Sequence, residues 1–359
     1  MEIGILTFHR AENFGAALQV YALQEFLKNL HHNVYVIDYR CPPIERNYQI
    51  LNPSYIWHRR NIWKGCIVYL NRFKNLKERK DKKKSFHDFL ASYINVKTCE
   101  TISDCDIVIV GSDQVWNMAI TQGYRPYYFL NFQHTKPVRK IAYAASSEPY
   151  SFFFFDANRN QISNDLLSFD AISVREQALK SYLGAFVKKE ISLCVDPTFL
   201  LSSDEYKRLA IKPLEQNYVL VYHLYETKEG SSLAQKISEE KGFSVVEIHS
   251  GYGKFGDKNI HKQDVGPREL LGYILYANQV ITTSFHGVAL SIILEKNFLV
   301  INKGNIERIK NLLALSGLSD RLISQTYDYC CNDINYSLLG SGLKNLIKDS
   351  KKFLIDNTK

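Results

Sequence analysis

The sequence predicts an α/β protein built from two doubly wound, Rossmann-like domains. Short apolar runs alternate with amphipathic helical stretches, the pattern of a parallel sheet with helices on both faces. The series stops at Asp196-Pro197 and, after a polar stretch from Ser202 to Asn217, starts again at Tyr218. A chain of 359 residues, 45% hydrophobic and 23% charged, suits two folded domains and excludes a disordered one.

The first series opens with an apolar strand Ile3 to Phe8, a polar loop containing Gly15, a helix from about Ala17 to Leu30 and a strand Val34 to Asp38, which together read as a βαβ unit. Further strands follow at Ile107 to Val110, Lys140 to Ala145, Ala171 to Val174 and Ile191 to Val195. The second series has strands at Tyr218 to Tyr225, Ser244 to Ile248, Gln279 to Thr282 and Phe298 to Ile301. Helices are predicted near Ser231 to Lys241, Pro267 to Ala277 and from Gly287 to Glu295. The domains are therefore placed at 1–205, with a basic helical insertion at about 41–100, and at 206–325. The segment 326–359, helical near Leu338 to Leu354, could return to the first domain. Two such domains facing a cleft resemble the GT-B architecture of glycosyltransferases.

The net charge of +8 is local. From Arg59 to Lys84 there are eleven Lys/Arg and two Asp/Glu, so this block carries +9 and the rest of the chain is near neutral. That distribution argues against nucleic acid as a partner and for a local anionic surface or a solvated helix. Seven scattered cysteines, with no C-x-x-C pair and no His/Cys cluster at zinc spacing, predict neither a disulfide framework nor a metal. The start MEIGILTFHR reads as a strand rather than a signal peptide, and no apolar run approaches the ~18 residues of a membrane span. A cytoplasmic protein is expected.

In doubly wound sheets, ligands bind at the carboxyl ends of strands. After the first strand, Asn13 can cap the following helix and Gly15 lets backbone approach a ligand, although the same features suit a plain connector. Ser112-Asp113-Gln114, followed by Trp116-Asn117, puts several polar groups into one turn, as a binding loop or a capped helix start would. Arg175-Glu176 at a strand end is placed to meet an anion or to form a structural salt bridge. The sharpest signal is Thr282-Thr283-Ser284-Phe285-His286-Gly287 between a strand and an apolar helix, where His286 would sit at the helix N-terminus beside Ser284 and Gly287. Past the next strand, Lys303, Arg308 and Lys310 supply cations, of which an arginine can fork onto a phosphate or carboxylate.

The blocks ILTFHRAENFGAALQVYAL, IVIVGSDQVWN, YAAS, ISVREQ, VDPTFL, VITTSFHGVALSIIL and GNIERIKNLLALSGLSDRLI, in this order over about residues 1 to 325, resemble the polysaccharide pyruvyl transferase family. The resemblance implies transfer of a pyruvyl group from phosphoenolpyruvate to a sugar, with formation of a pyruvate ketal and release of phosphate. It implies a place in bacterial cell-surface polysaccharide synthesis, capsule or exopolysaccharide, and no cofactor. It puts catalysis on His286 and Arg175 and expects a cation after the histidine strand, for which the sequence offers Lys303, Arg308 and Lys310; the strand-end loops themselves give Arg308, Lys303, Ser284, Gly287, Asn13, Gly15, Ser112, Asp113 and Gln114 as expected substrate contacts. On this reading the site lies in the cleft between the domains. A nucleotide-sugar glycosyltransferase and a catalytically silent saccharide-binding relative are the alternatives.

The family reading also gives the basic block a purpose. Trp57 and Trp63 share a broad apolar helical face interleaved with cations, and Lys80, Lys82, Lys83 and Lys84 follow. Such a helix suits the inner face of the cytoplasmic membrane, near a polyprenyl-diphosphate-linked saccharide acceptor. The competing expectation is an apolar face packed on the first domain with its cations solvated.

Overall fold

The computed structural model describes residues 1–50, 75–133, 136–249, 259–304, 306–323 and 332–359. They fold into two compact units: Met1–Tyr48, Leu90–Leu201 and Asn345–Lys359 form the first, and Gln49–Phe89 and Ser202–Lys344 the second.

The first unit holds a seven-stranded sheet of β1 (Glu2–Leu6), β2 (Asn33–Asp38), β3 (Val96–Thr98), β4 (Ile107–Val110), β5 (Arg139–Ala145), β6 (Ala171–Val174) and β7 (Ile191–Leu193). Its order is β3-β2-β1-β4-β5-β6-β7, and every pairing is parallel. Helix α1 (Phe14–Asn29) makes the first crossover and buries most of its length, because its small and apolar residues run all round it. The core around β4 and β5 is aromatic: Trp116 is fully buried, stacks on Phe129 at 5.7 Å and donates its indole N–H to the Tyr128 carbonyl at 2.8 Å.

The second unit holds β8 (Tyr218–His223), β9 (Ser244–His249), β10 (Ile260–Lys262), β11 (Gln279–Thr282), β12 (Phe298–Ile301) and β13 (Leu322–Ile323). They lie in the order β10-β9-β8-β11-β12-β13, again all parallel. Each sheet reverses its strand order once, between β1 and β4 and between β8 and β11. Those switch points are where loops splay apart and leave room for a ligand.

The expected insertion at 41–100 in the first domain is divided: of its described residues, 49–50 and 75–89 belong with the second unit. Helix α2 (Leu76–Tyr93) shows why, since one face carries Arg79, Lys82, Phe86 and Phe89, all buried. Lys82 donates to the His249 carbonyl at 3.3 Å, and a side chain on Gly266 would come within 2.7 Å of Ser85 Cβ. The helix α3 (Ser341–Asn357) ends in the first unit, where Ser350 accepts a hydrogen bond from the Val195 amide at 2.9 Å. The apolar face that carries Trp57 and Trp63 lies outside the described residues. Among the described residues, no helix is long and apolar enough to cross a membrane.

Candidate functional site

On the first sheet, the loops after β1 and β4 flank the switch point. Asn13 caps α1 as expected, its side chain accepting from the Gly15 amide at 2.9 Å and the Ala16 amide at 3.2 Å; Gly15 is buried in that first turn. Beyond β4 the chain turns at Gly111, whose φ of +115° and approach to the Tyr143 carbonyl, 2.2 Å from where a Cβ would stand, leave no room for a side chain. Ser112 is buried and bonds the Ala144 carbonyl at 3.2 Å, and Asp113, at φ 63°, accepts from the Gln114 amide at 2.8 Å. Gln114 reaches Glu148 at 3.1 Å.

Arg175 lies at the end of β6 with only 5% of its side chain exposed. It donates to Asp196 at 2.6 Å, to Ser146 at 2.9 Å and to Glu176 at 3.1 Å. Burial works against its charge, but Glu176, Asp196 and Asp113 outweigh burial and hold the guanidinium above its usual pKa. The salt-bridge alternative is thus the observed state. Ser146, whose amide also donates to the Asp113 carbonyl at 3.1 Å, joins the β4, β5 and β6 turns into one network. The YAAS and VDPTFL blocks were visible as motifs, yet nothing in the sequence marked Ser146 and Asp196 as partners of Arg175.

Beside β1 stands a second charged set. Asp38 takes His9 Nε2 at 3.0 Å and both Arg10 donors at 2.5 Å. The His9 bond first, and then the Arg10 fork, hold the Asp38 carboxyl well below the usual carboxylate range against a smaller effect of burial.

On the second sheet, β11 ends in Thr282 and Thr283, and Ser284 caps α4 (Phe285–Ile293) through the Gly287 amide at 3.3 Å. Gly287 is needed for packing, since a Cβ there would lie 2.3 Å from Thr282 Oγ1 and 2.9 Å from Tyr222. Ser284 and Gly287, expected as substrate contacts, are both buried and occupied in building the turn. Thr283 Oγ1 accepts the Leu224 and Tyr225 amides, each at 3.0 Å, tying the β8 loop to the β11 loop across the switch point. Tyr225 then packs on Gly304, where a Cβ would fall 2.2 Å from the ring.

His286 sits half-buried in the first turn of α4, at the positive end of the helix. Its ring meets the Phe285 ring edge-on at 5.3 Å, and the Arg308 guanidinium lies over the other ring at 5.9 Å. Phe285 thereby meets both the histidine and Arg308, which comes from the first turn of α5 (Glu307–Ser316), a role its place in the motif did not reveal. Lys303 is exposed on the β12 loop, and Lys310 pairs with Glu307 at 3.0 Å. This edge gathers a titratable imidazole, two cations and a helix N-terminus, which is the chemistry an anionic small molecule requires.

Of the four lysines assigned to a membrane surface, Lys80, Lys83 and Lys84 are exposed, and Lys84 pairs with Asp88 at 2.5 Å. Lys82 is 7% exposed and turned into the protein, because the helical period puts it on the face with Phe86 and Phe89; it is not a docking residue.

A search of curated proteins returns no match. Among solved structures, UDP-GlcNAc 2-epimerase from Neisseria meningitidis bound to UDP-GlcNAc is similar at TM-score 0.49 and 10% identity, over 100% of this chain and 99% of that one. A putative UDP-N-acetylglucosamine 2-epimerase from Listeria monocytogenes is similar at TM-score 0.49 and 13% identity, over 98% and 90%. The glycosyltransferase SnogD from Streptomyces nogalater is similar at TM-score 0.41 and 10% identity, over 98% and 94%. At these values no function passes from them to this chain. The sequence also matches the polysaccharide pyruvyl transferase family over residues 13–305, which stops three residues short of Arg308. A match that begins at the cap of α1, takes in strands of both sheets, includes His286 and covers most of the chain makes this chain a member of the polysaccharide pyruvyl transferase family.

Proposed function

We propose that the chain transfers the pyruvyl group of phosphoenolpyruvate to two hydroxyls of a saccharide, forming a cyclic ketal and releasing phosphate. The observation that carries this reading is the β11 edge, where His286 stands in the first turn of α4 with Arg308 held against Phe285. Phosphoenolpyruvate has a phosphate and a carboxylate, and Arg308, Lys303 and the helix N-terminus can take both. The enol methylene takes up a proton, one sugar hydroxyl adds to the carbon bearing phosphate and gives up its proton, phosphate leaves with its bridging oxygen and the electron pair of the broken C–O bond, and a second hydroxyl closes the ring as its own proton passes to the phosphate. His286 is assigned the proton transfers and the cations the stabilisation of the departing phosphate. Arg175 contributes by fixing the Ser146 and Asp113 turns of the first unit. An acceptor linked to a polyprenyl diphosphate at an anionic membrane surface fits the exposed lysines Lys80, Lys83 and Lys84 and remains part of the proposal.

Calorimetry discriminates this reading from a nucleotide-sugar transferase. Phosphoenolpyruvate is expected to bind, and to bind more weakly when Arg308 is changed to Met. Binding of a nucleoside diphosphate with no binding of phosphoenolpyruvate would overturn it.

A further inference from the structure

A second cluster of titratable groups lies on the other half of the second sheet. Glu247 and His249 alternate along β9 and so share one face. The parallel register sets His261 of β10 opposite Glu247, and His223 of β8 opposite His249. Three donor atoms converge: Glu247 Oε2 lies 3.4 Å from His249 Nε2 and 3.7 Å from His261 Nδ1, and the two nitrogens are 3.0 Å apart. Around them, Glu226 holds His249 Nδ1 at 2.9 Å, Asn259 holds the other oxygen of Glu247 at 2.6 Å, and His223 Nε2 stands 3.4 Å from Oε2.

We propose that Glu247, His249 and His261 bind one divalent transition-metal ion of the zinc class, with Glu226 orienting His249. A tetrahedral ion with ligands at about 2.0–2.1 Å separates neighbouring ligand atoms by about 3.3–3.4 Å, near the mean of the observed triangle. Among the described residues, hydrogen bonds satisfy His249 on both nitrogens and one oxygen of Glu247, and leave the other oxygen without a partner. Glu247 is fully buried, and among the described residues its Oε2 makes no hydrogen bond of normal geometry although imidazoles approach it at 3.4–3.7 Å. A buried carboxylate needs a compensating positive charge, which a shared cation would supply. The carboxylate of Glu226 on the far nitrogen of His249 is the usual support of a metal-bound imidazole. Two histidines and a glutamate leave a fourth position for water, and His261, 12% exposed, marks the open side. The ion would clamp the three-residue strand β10 to β9.

The full chain, stripped with a chelator, dialysed and loaded with Co²⁺, tests this without any assay of turnover, so its outcome is separate from the pyruvyl-transfer reading. One equivalent of cobalt with the absorption of a four- or five-coordinate ion, displaced by Zn²⁺, is expected. His261→Gln, at the most accessible ligand, should keep the fold by circular dichroism and lose stoichiometric uptake, and Glu226→Gln should weaken affinity about 10–100-fold. Absence of stoichiometric cobalt in the native chain, or unchanged uptake by folded His261→Gln, would overturn the proposal.

Discussion

The carboxyl edges of the two sheets share a topology and differ in what they do with charge. On the first, Arg175 is buried between Asp196 and Glu176, so the cation is neutralised within the protein and the turns after β4, β5 and β6 are locked together. On the second, Arg308 is held by a ring and Lys303 stands in solvent, beside a histidine at a helix start. An arginine thus packs between two carboxylates at the first edge and over an aromatic ring at the second. An arginine at a strand end says little about ligands until its carboxylate partners are known.

The largest effect that would break this comparison is at Arg175. Arg175→Met leaves two carboxylates facing each other in the interior, and removing one partner of a buried pair costs about 3–5 kcal/mol. Urea unfolding of the first unit should show that loss, and a cost under about 1 kcal/mol would end the scaffold reading. A smaller effect comes from Asp38, whose carboxyl is held below its ordinary value of 3.8 by His9 and Arg10. The stabilisation from a depressed carboxyl is fully present above the ordinary value and is lost as pH falls toward the folded value. The unfolding midpoint of the first unit should therefore fall between about pH 5 and about pH 3 more steeply in the native chain than in Asp38→Asn. Equal slopes would show that this ion pair does not set acid stability.

Much of the fold was legible because its central strands are continuous apolar runs buried on both faces. Ile107–Val110, Ala171–Val174, Gln279–Thr282 and Phe298–Ile301 are observed with the expected bounds. The edge strands β3, β10 and β13 were missed; at two or three residues they are too short to show a period. Asn13 as a cap and His286 at a helix start were readable because caps and strand-to-helix turns are local. Lys82 was misread because a lysine in a basic run looks solvated, and only tertiary packing turned it toward His249. The cluster of Glu247, His249 and His261 escaped a search by spacing because strand register, not sequence distance, brings its third member alongside.

Whether the β11 edge carries the chemistry is decided by phosphate release from phosphoenolpyruvate with a panel of free and lipid-linked saccharide acceptors, comparing the native chain with His286→Gln. Acceptor-dependent release is expected, falling about 10²–10⁴-fold in the variant while its unfolding midpoint stays in place. Turnover by a folded His286→Gln chain at the native rate would contradict it.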